Sequence, residues 1–452
     1  MNSMLQKYNV PGPRYTSYPT VPYWDKVPPS KIAWQEKVKS VFDETNEKDG
    51  ISLYIHLPFC ESLCTYCGCN TRITVNHAVE SIYIDALLKE WKIYLSIFKD
   101  KPVLKEIHLG GGTPTFFSPL NLQKLIQGIF ATSEIGDGAE FGFEAHPNST
   151  SEKHLKILFD LGFRRLSLGV QDFDPKVQEI VNRIQTFEVV KSVTEQARKT
   201  GFTSVNYDLI YGLPFQKKKS IVDTIEKVNQ LKPDRIAFYS YAHIPWVKPG
   251  QRKFTEADLP VDLEKRELYE TGKKLLAGNG YFEIGMDHFS LPQDSLFLAE
   301  QNKTLHRNFM GYTPTYTKLL VGLGVSSISD CWSGFVQNAK VVEEYYKGLE
   351  KNELPFFKGH LLDPEDLILR KHILNLMCRF ETSWEESEMQ TEFLSKTLEK
   401  LVEFEKDGLV KISPFHLKIL ENAKPFVRNI CMAFDARLWR NQPQTQIFSS
   451  TI

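Results

Sequence analysis

The sequence lacks the features that mark several common classes of protein. No apolar run approaches the roughly 18 residues needed to span a bilayer, and the opening stretch MNSMLQKYNVPGPRY has no apolar segment typical of a secretory signal. Neither sign of charge is in excess, because 55 Lys and Arg are balanced by 56 Asp and Glu. This balance argues against a surface built for nucleic acid or anionic membrane. We therefore expect a cytoplasmic protein that binds neither.

Cysteine is scarce except in one short segment. Four of the seven cysteines fall within ten residues: Cys60, Cys64, Cys67 and Cys69. Disulfides are a poor explanation for this cluster, because a cytoplasmic protein keeps its thiols reduced and such close neighbours cannot all pair with good geometry. The other three lie among apolar residues, which predicts small buried side chains: Cys331, Cys378 and Cys431.

The middle of the chain alternates short apolar runs with amphipathic stretches. The predicted strands are 51–57, 105–111, 140–146, 164–170, 204–212 and 234–243. Helical periodicity marks the intervening segments 81–98, 121–130, 152–162 and 187–201. Six β-then-α units predict an α/β fold with a parallel sheet, two units short of a complete eight-fold barrel. We expect a partial (β/α)6 TIM-like barrel with its active groups at the carboxyl ends of the strands.

The two ends of the chain differ from this middle part. Residues 1–50 are rich in Pro and Tyr and show no helical period, which predicts an N-terminal arm that wraps the catalytic domain. The catalytic domain with its extension would span 51–360. Asp363-Pro364 is typical of an N-cap and first helical turn. A helical stretch follows, then a segment with helical periodicity at 383–408, a hairpin at 409–420 and a last helix. Residues 361–452 are therefore predicted to form a small, mostly helical C-terminal domain.

The cysteine cluster has the spacing Cys60-x3-Cys64-x2-Cys67, and it directly follows the first predicted strand. Structural zinc usually takes two separated pairs of ligands, often with His, and ferredoxin-type clusters use other spacings and a fourth cysteine ligand. Three thiolates can hold three irons of a [4Fe–4S] cluster and leave the fourth iron open. The motif resembles that of the radical S-adenosylmethionine (SAM) superfamily, while another iron–sulfur use or zinc remains an alternative.

Polar or glycine-rich positions follow the other predicted strands. Gly110 to Thr115 end the second strand, Glu144 the third, Gln171 the fourth and Asp208 the fifth. Glycine lets the backbone approach a ligand closely, and polar groups at successive strand ends suit the carboxylate, ribose and sulfonium of SAM. Tyr66, inside the cysteine loop, could cover an adenine. Together these positions predict one site.

Further motifs occur in order along essentially the whole chain. They are KYNVPGPRYTSYPT, YIHLPFCESLCTYCGCN, HLGGGTPT, RLSLGVQDF with VNR, DLIYGLP, YAHIP, GMDHF, LHRNFMGYT, GVSSIS and RNICMAFD. By these motifs the chain resembles the oxygen-independent coproporphyrinogen III oxidases of the radical SAM superfamily. The resemblance implies cluster ligands at Cys60, Cys64 and Cys67. It implies SAM contacts at Tyr54, Tyr66, Gly111, Gly112, Thr113, Glu144, Gln171, Arg183, Asp208, Ala242 and Ile328.

The resemblance also implies a reaction. A 5′-deoxyadenosyl radical, formed from SAM at the [4Fe–4S] cluster, would abstract hydrogen from a propionate β-carbon of coproporphyrinogen III. Loss of CO2 and of one electron from the ring A and ring B propionates would give vinyl groups, and hence protoporphyrinogen IX in haem biosynthesis. The electron donor and acceptor are unidentified, and we expect a monomer.

Several residues have implied roles in catalysis or substrate binding. The catalytic candidates are Tyr54, His56, Cys69, Phe309 and Met310. A second SAM is implied near Phe309, Met310 and Ile328, although Met310 replaces the family's usual Gln and a thioether has neither the donor nor the acceptor of an amide. Candidates for holding propionates are Arg14, Arg72, Arg252, Lys253, His288 and Arg307. Tyr15 and Tyr18 suggest an arm that closes over the site.

Two other functions stay open at this level. One is a haem chaperone of the same superfamily, which would bind haem without turnover. It is disfavoured because such proteins lack the CGCN cysteine and the N-terminal arm. The other is a radical SAM enzyme that methylates or degrades haem, for which Met310 leaves room.

Overall fold

The N-terminal arm contains more helix than the sequence suggested. The computed structural model describes residues 2–451 and begins with helices α1 (Asn2–Tyr8) and α2 (Lys31–Asp49). The prediction that residues 1–50 lack helical periodicity is therefore wrong. The Ser30 side chain caps α2 by accepting from the backbone N–H of Ala33, and the apolar face of the helix is buried. The proline-rich stretch before it hid this signal.

Six parallel strands form the centre of the fold, as predicted. The first eight strands along the chain are β1 (Ile51–Leu57), β2 (Phe59–Cys60), β3 (Arg72–Ile73), β4 (Val103–Gly111), β5 (Glu134–Ala145), β6 (Arg165–Gln171), β7 (Ser204–Tyr211) and β8 (Arg235–Ser240). Strands β1, β4, β5, β6, β7 and β8 are parallel neighbours in that order, whereas β2 and β3 pair with each other. The sheet curls without closing, which is the expected partial barrel.

Helices connect these strands, and their apolar faces are buried. They are α3 (Val79–Leu95), α4 (Pro119–Phe130), α5 (Glu152–Asp160), α6 (Pro175–Ile180), α7 (Phe187–Thr200) and α8 (Lys218–Leu231). In α4, for example, Leu122, Leu125, Ile126 and Ile129 recur at helical spacing and are fully buried in the main core. The four helical segments predicted between the strands correspond to α3, α4, α5 and α7.

The sheet extends beyond the predicted strands on both sides. The further elements of this region are α9 (Asp262–Gly278), β9 (Phe282–Gly285), β10 (His288–Ser290), α10 (Ser295–Gln301), β11 (His306–Asn308), β12 (Gly311–Thr313), β13 (Leu320–Leu323), β14 (Ile328–Asp330), β15 (Gly334–Asn338), α11 (Val342–Glu350) and β16 (Phe356–Leu361). Strand β13 pairs in parallel with β1, and β14 to β16 continue the sheet antiparallel. On the other side, β10 pairs antiparallel with β8, and β9 pairs antiparallel with β10. One twelve-stranded sheet results.

The C-terminal region is mostly helical with a small sheet. Its elements are α12 (Pro364–Arg379), β17 (Glu381–Ser383), α13 (Phe393–Lys406), β18 (Val410–Ser413), β19 (His416–Ile419), α14 (Val427–Ala433) and α15 (Ala436–Arg440). The Asp363 N-cap and the hairpin at 409–420 are confirmed. The helix expected across 383–408 is shorter, because Ser383 belongs to β17 and α13 starts at Phe393. Division of the chain at 50 and 360 stays a prediction.

Short 3-10 helices complete the connections. They are Val21–Tyr23, Pro114–Phe116, Pro147–Ser149, Pro249–Lys253, Glu256–Asp258, Ser387–Met389 and Glu421–Phe426. No helix within residues 2–451 has the length and apolar character needed to cross a membrane.

The start of the arm is part of the C-terminal core. Tyr8, Tyr15 and Tyr18 are buried in the apolar cluster of that region, and the Tyr15 hydroxyl donates to Asp435 at 3.0 Å. The Arg428 guanidinium donates to the Pro13 carbonyl at 2.8 Å. In this structure, Tyr15 and Tyr18 therefore anchor the arm instead of closing over the strand ends.

Candidate active site

The cysteine motif forms a loop at the carboxyl end of β1, and short backbone hydrogen bonds hold this loop. The N–H of Arg72 donates to the Pro58 carbonyl, and the N–H of Thr74 donates to the Cys60 carbonyl. Cys60, Cys64, Cys67 and Cys69 line one cavity of about 420 Å³. This volume lies in the range of small-molecule and cofactor sites.

The chemistry of this loop fits a [4Fe–4S] cluster better than a single metal ion. All seven cysteines are free thiols, and Cys331, Cys378 and Cys431 are buried as predicted. Nowhere in the described part of the chain do three His, Cys, Asp or Glu side chains converge as ligands of one ion. A cubane cluster takes one thiolate per iron, so spread thiols suit it.

Two polar side chains of the barrel, Thr113 and Arg183, form hydrogen bonds with the thiols of Cys60 and Cys64. Cys60 Sγ lies 3.2 Å from Thr113 Oγ1, and Arg183 Nη1 donates toward Cys64 Sγ at 3.6 Å. The neighbouring Cys69 thiol lowers the pKa of Cys67, because it stabilises the Cys67 thiolate. Cys69 therefore influences a predicted cluster ligand.

The turn after β4 is a backbone cradle. A Cβ atom at Gly112 would lie 2.5 Å from the carbonyl of Pro58, and one at Gly110 would lie 2.8 Å from Glu144 Oε1. Gly111 has a φ of 110°, which only glycine adopts readily. Gly111, Gly112 and Thr113 all line the cavity. The glycines are therefore needed for close packing of this turn against the cysteine loop and Glu144, and its contact with SAM stays a prediction.

Glu144, at the end of β5, is held by two donors. Its Oε2 accepts the Gly111 N–H at 3.1 Å, and its Oε1 accepts from His108 Nε2 at 3.3 Å. Burial acts to raise the pKa of Glu144, but these hydrogen bonds outweigh burial and keep the pKa below its ordinary value. Glu144 is therefore a fixed carboxylate in the cavity wall.

Asp208 lies within β7 and not at its end as predicted, but it pairs with Gly169 near the end of β6. Its environment differs from that of Glu144. Its carboxylate accepts from Ser167 Oγ at 3.2 Å and from Asn206 Nδ2 at 2.9 Å. Burial is the main cause that raises its pKa to about 6, and the negative charge of Glu144 adds to it. Ser167 and Asp208 both line the cavity.

Arg183 and Gln171 mark an irregular end of β6. Gln171 has a φ of 66°, and the ladder between β6 and β7 shifts register between Gly169 and Gln171. The bulge exposes the Gly169 carbonyl, and Arg183 Nη2 donates to this carbonyl at 2.6 Å. The strained backbone thus aims Arg183 at Cys64, and both predicted residues line the cavity.

Tyr66 and Ala242 are linked by a residue that the sequence analysis missed. Gln251 Nε2 donates to the carbonyls of Tyr66 and Ala242, each at 3.2 Å. Tyr66 lines the cavity, whereas Ala242 lies behind it and does not reach the surface of the cavity. Gln251 thereby joins the cysteine loop to the segment after β8.

A second, inner chamber of about 100 Å³ lies beside the first cavity. The two share Glu144, Ser167, Asp208 and Tyr239. Met310 is at the inner chamber, as is His288, whose pKa burial lowers to about 3. The chamber walls also include His108, Arg165, Asn206, Arg235 and Tyr312. A polar space therefore continues from the SAM positions into the barrel.

Besides Ala242, four of the predicted catalytic or SAM-binding residues line neither space. Tyr54 stacks on His108, with the ring centroids 6.1 Å apart. His56 Nε2 donates to the Asn70 carbonyl at 2.9 Å, so its Nδ1 accepts from the Tyr54 hydroxyl at 3.1 Å. Phe309 packs on Trp24 and Phe335, and Ile328 lies on β14. Their catalytic or SAM-binding roles stay predictions.

The propionate candidates are scattered. Arg72 pairs with Glu343 on the surface, and Arg252 and Lys253 are exposed. Arg14 pairs with Asp287 at 2.6 Å, and its guanidinium lies over the Tyr239 ring at 6.0 Å. Of these candidates, Arg14, His288 and Arg307 lie near the inner chamber or its wall.

His108 and Tyr239 are functional candidates that sequence reasoning missed. A usable signal exists, because side chains alternate across a strand. In β4 the polar Glu106 and His108 alternate with the buried Ile107 and Leu109. Similar alternation in the other central strands marks the interior of the barrel, whereas the sequence analysis considered only strand ends.

Comparison with known proteins agrees with this geometry. Residues 54–228 match the model of the radical SAM superfamily. An oxygen-independent coproporphyrinogen III oxidase of Salmonella typhimurium is 38% identical over 455 residues, which cover 100% of this chain and 98% of that protein. The chain belongs to the oxygen-independent coproporphyrinogen III oxidase family.

Other members of this family agree with the assignment. The Helicobacter pylori enzyme (strain 26695) is 38% identical over 96% of each chain. A solved coproporphyrinogen III oxidase from Escherichia coli, described as a radical SAM enzyme, superposes with a TM-score of 0.88 at 35% identity. That match covers 94% of this chain and 97% of the other. The predicted fold class and the cofactors, a [4Fe–4S] cluster and SAM, are thereby confirmed.

Proposed function

We propose that this chain oxidatively decarboxylates the ring A and ring B propionates of coproporphyrinogen III to vinyl groups, giving protoporphyrinogen IX. One observation carries the proposal. The free thiols of Cys60, Cys64 and Cys67 have the spacing of the radical SAM motif and line the same cavity as Glu144 and Asp208. A polar chamber continues from this cavity into the barrel. When bound, the cluster and SAM supply a 5′-deoxyadenosyl radical in that cavity.

The residues of the chain have distinct tasks in this proposal. Cys60, Cys64 and Cys67 hold the cluster, and the Arg183 cation offsets negative charge at Cys64. The cradle at Gly111 and Gly112 lets backbone approach the methionine end of SAM.

The other contacts with SAM come from the strand ends. The Glu144 carboxylate offers its oxygens to the ammonium group of SAM. Asp208, with Ser167 and Asn206 behind it, offers acceptors to the ribose hydroxyls. The partly buried ring of Tyr66 packs against the adenine. Gln171, on the bulged end of β6, adds an amide to the same wall.

Two further points concern the cluster loop and the cellular setting of the protein. We propose that His56 and Cys69 assist electron transfer at the cluster loop, since both lie beside it. The second SAM that the resemblance implies near Met310 does not fit in the inner chamber, because a volume of about 100 Å³ is below that of a cofactor site. Seven free thiols suit a reducing cytoplasm, where we place the protein as a monomer that meets separate electron donors and acceptors.

An anaerobic assay tests the proposed function. The cluster-reconstituted protein is mixed with SAM, coproporphyrinogen III, a reductant and cell extract as acceptor source. We expect 5′-deoxyadenosine together with protoporphyrin fluorescence after oxidation of the products. The matched Cys64→Ser protein should form neither. Deoxyadenosine without protoporphyrin would contradict the substrate, and haem would then be the substrate to examine.

A further inference from the structure

A small, positively charged pocket lies outside the two spaces described above. It has a volume of about 50 Å³ and lies where the arm, the ends of β7 and β8, and the C-terminal region meet. Its charged walls are Arg14, Arg266, Lys424 and Arg428, together with Glu283 and Asp287. We call it the cationic pocket.

The two acids of the cationic pocket are already neutralised. Asp287 accepts from Arg14 at 2.6 Å. Glu283 accepts from Lys273 at 2.5 Å and from the Tyr269 hydroxyl at 3.0 Å. Neither carboxylate is therefore free to balance a further cation in the pocket.

Two arginines around the arm have no counter-ion among residues 2–451. Arg428 is 5% exposed and donates only to backbone carbonyls, including those of Pro13 at 2.8 Å and Ser450 at 3.0 Å. Arg307 is 7% exposed and donates to the Arg14 carbonyl at 3.3 Å, while its Nε and Nη1 have no acceptor. Buried cations without an anion are costly.

The excess of positive charge lowers the pKa of neighbouring basic groups. Burial, together with the charge of Arg14, lowers the pKa of Arg428 to about 9. The same two causes lower the pKa of Lys265 to about 8. An anion bound in the pocket would relieve this repulsion.

The cationic pocket shares no lining residue with the active-site cavity or the inner chamber, but its Arg14 contacts a ring that lines both. Arg14 lies over Tyr239, and Tyr239 lines both the active-site cavity and the inner chamber. The volume of the pocket corresponds to about two water molecules. It therefore suits a carboxylate with its adjoining carbon and excludes an aromatic ring.

We propose that the cationic pocket binds the carboxylate of a substrate propionate that is not being decarboxylated. The inference rests on the proposed function, which supplies a substrate with four propionates. Asp287 and Glu421 already balance the charges of Arg14 and Lys424, so these two residues contribute N–H donors. The uncompensated positive charge comes from the buried Arg428 and Arg307. This subsite would orient the macrocycle so that a different propionate faces the radical.

Binding of coproporphyrin III, a stable fluorescent analogue, tests this subsite. Fluorescence anisotropy is measured on the cluster-loaded protein for the wild type, Arg14→Gln, Lys424→Gln and the control Arg440→Gln. We expect about tenfold weaker binding for Arg14→Gln, because a charge-assisted hydrogen bond is lost, and about threefold for Lys424→Gln. Arg440 pairs with Glu365, remote from the pocket, so its variant should bind as the wild type does. Coproporphyrin tetramethyl ester, which has no carboxylates, should bind all four proteins equally.

The outcomes separate two kinds of failure. Unchanged affinity in both Arg14→Gln and Lys424→Gln would overturn the subsite while leaving the proposed function intact. Lys424→Gln guards against misfolding, since the partner of Lys424 is the exposed Glu421. Equal weakening of acid and ester binding would also overturn it, since charge would then play no part. A wild type that neither binds coproporphyrin nor forms protoporphyrin would overturn the proposed function itself.

Discussion

The strand ends of the barrel and the C-terminal region both bury polar side chains, but they satisfy them differently. Glu144 and Asp208 each accept hydrogen bonds from the protein and still face a cavity. In the C-terminal region, Asp366 accepts from His360 and Arg437, and Asp435 accepts from Tyr15 and the Leu438 N–H. Those carboxylates line none of the spaces described here.

The difference separates residues that bind ligands from residues that hold the fold. A carboxylate that faces a cavity keeps acceptor oxygens available for a ligand. A carboxylate enclosed by protein donors uses its oxygens in hydrogen bonds that stabilise the native structure. Substitutions at the strand ends should therefore change binding and activity with little change in the free energy of unfolding. Substitutions in the C-terminal region should do the reverse.

The two kinds of cysteine give the largest contrast. Cys64→Ser should remove iron and lower activity at least about a thousandfold, because an alcohol is a far weaker iron ligand than a thiolate. Iron analysis and product formation measure the effect. The free energy of unfolding of the cluster-free protein should stay within about 0.5 kcal/mol of the wild type, since Cys64 is partly exposed.

Cys431→Ala is the matched control for that experiment. Cys431 is fully buried in the C-terminal core, so the variant should lose about 1 kcal/mol of stability through the small cavity created. Its iron content should equal that of the wild type. Loss of iron from this variant would erase the distinction between the two regions.

His108 sharpens the contrast within the barrel. His108→Phe keeps a ring to stack on Tyr54 but removes the hydrogen bond to Glu144, so SAM should bind about tenfold more weakly. Equilibrium dialysis of SAM with the cluster-loaded protein measures this. His77→Phe is the control, because His77 is half exposed and stacks on Phe116 near the cavity. Equal SAM affinity in His108→Phe and the wild type would show that the hydrogen bond from His108 to Glu144 does not contribute to SAM binding.

Local patterns explain how much of this site was predictable. The cysteine spacing and the ends of the strands can be recognised from short stretches of sequence. The sequence therefore predicted that Cys60, Cys64, Cys67, Gly111 and Glu144 lie around one cavity, while their roles stay predictions.

His108 was missed because the sequence analysis considered only strand ends, although His108 alternates with the buried Ile107 and Leu109 along β4. Gln251 was missed because its partners are set by tertiary packing. The same holds for β13 and β10, whose short sequences are placed beside β1 and β8 only by the fold.

The arm was misjudged for a related reason. Its tyrosines were read as a mobile cover because aromatic residues near proline carry no information about their partners. Tyr15 and Tyr18 instead meet a core formed some 400 residues later in the chain. Helix α2 was predictable, since Trp34, Val38 and Phe42 lie four residues apart after the Ser30 cap.

Tyr15 provides a smaller test on the C-terminal side. Tyr15→Phe removes the hydroxyl that donates to the buried Asp435, so the free energy of unfolding should fall by about 1–2 kcal/mol. Urea unfolding of the variant measures this loss. The kcat and the KM for SAM should not change, because Tyr15 is not at the strand ends. A lower kcat with unchanged stability would instead favour an arm that closes over the site.

Asp208 gives the smallest and most specific effect. Its pKa of about 6 means that the carboxylate is protonated as the pH falls through 6, and a protonated acid loses acceptor capacity for the ribose. At pH 5.5 roughly a quarter of the molecules keep the ionised form, so SAM affinity should be about fourfold weaker than at pH 7.5. Asp208→Asn should bind SAM more weakly at pH 7.5 and lose this pH dependence.

Glu144, whose pKa lies below its ordinary value, stays ionised over the same range and does not contribute to the change of SAM affinity with pH. A pH profile that is identical in Asp208→Asn and the wild type would place the titrating group elsewhere.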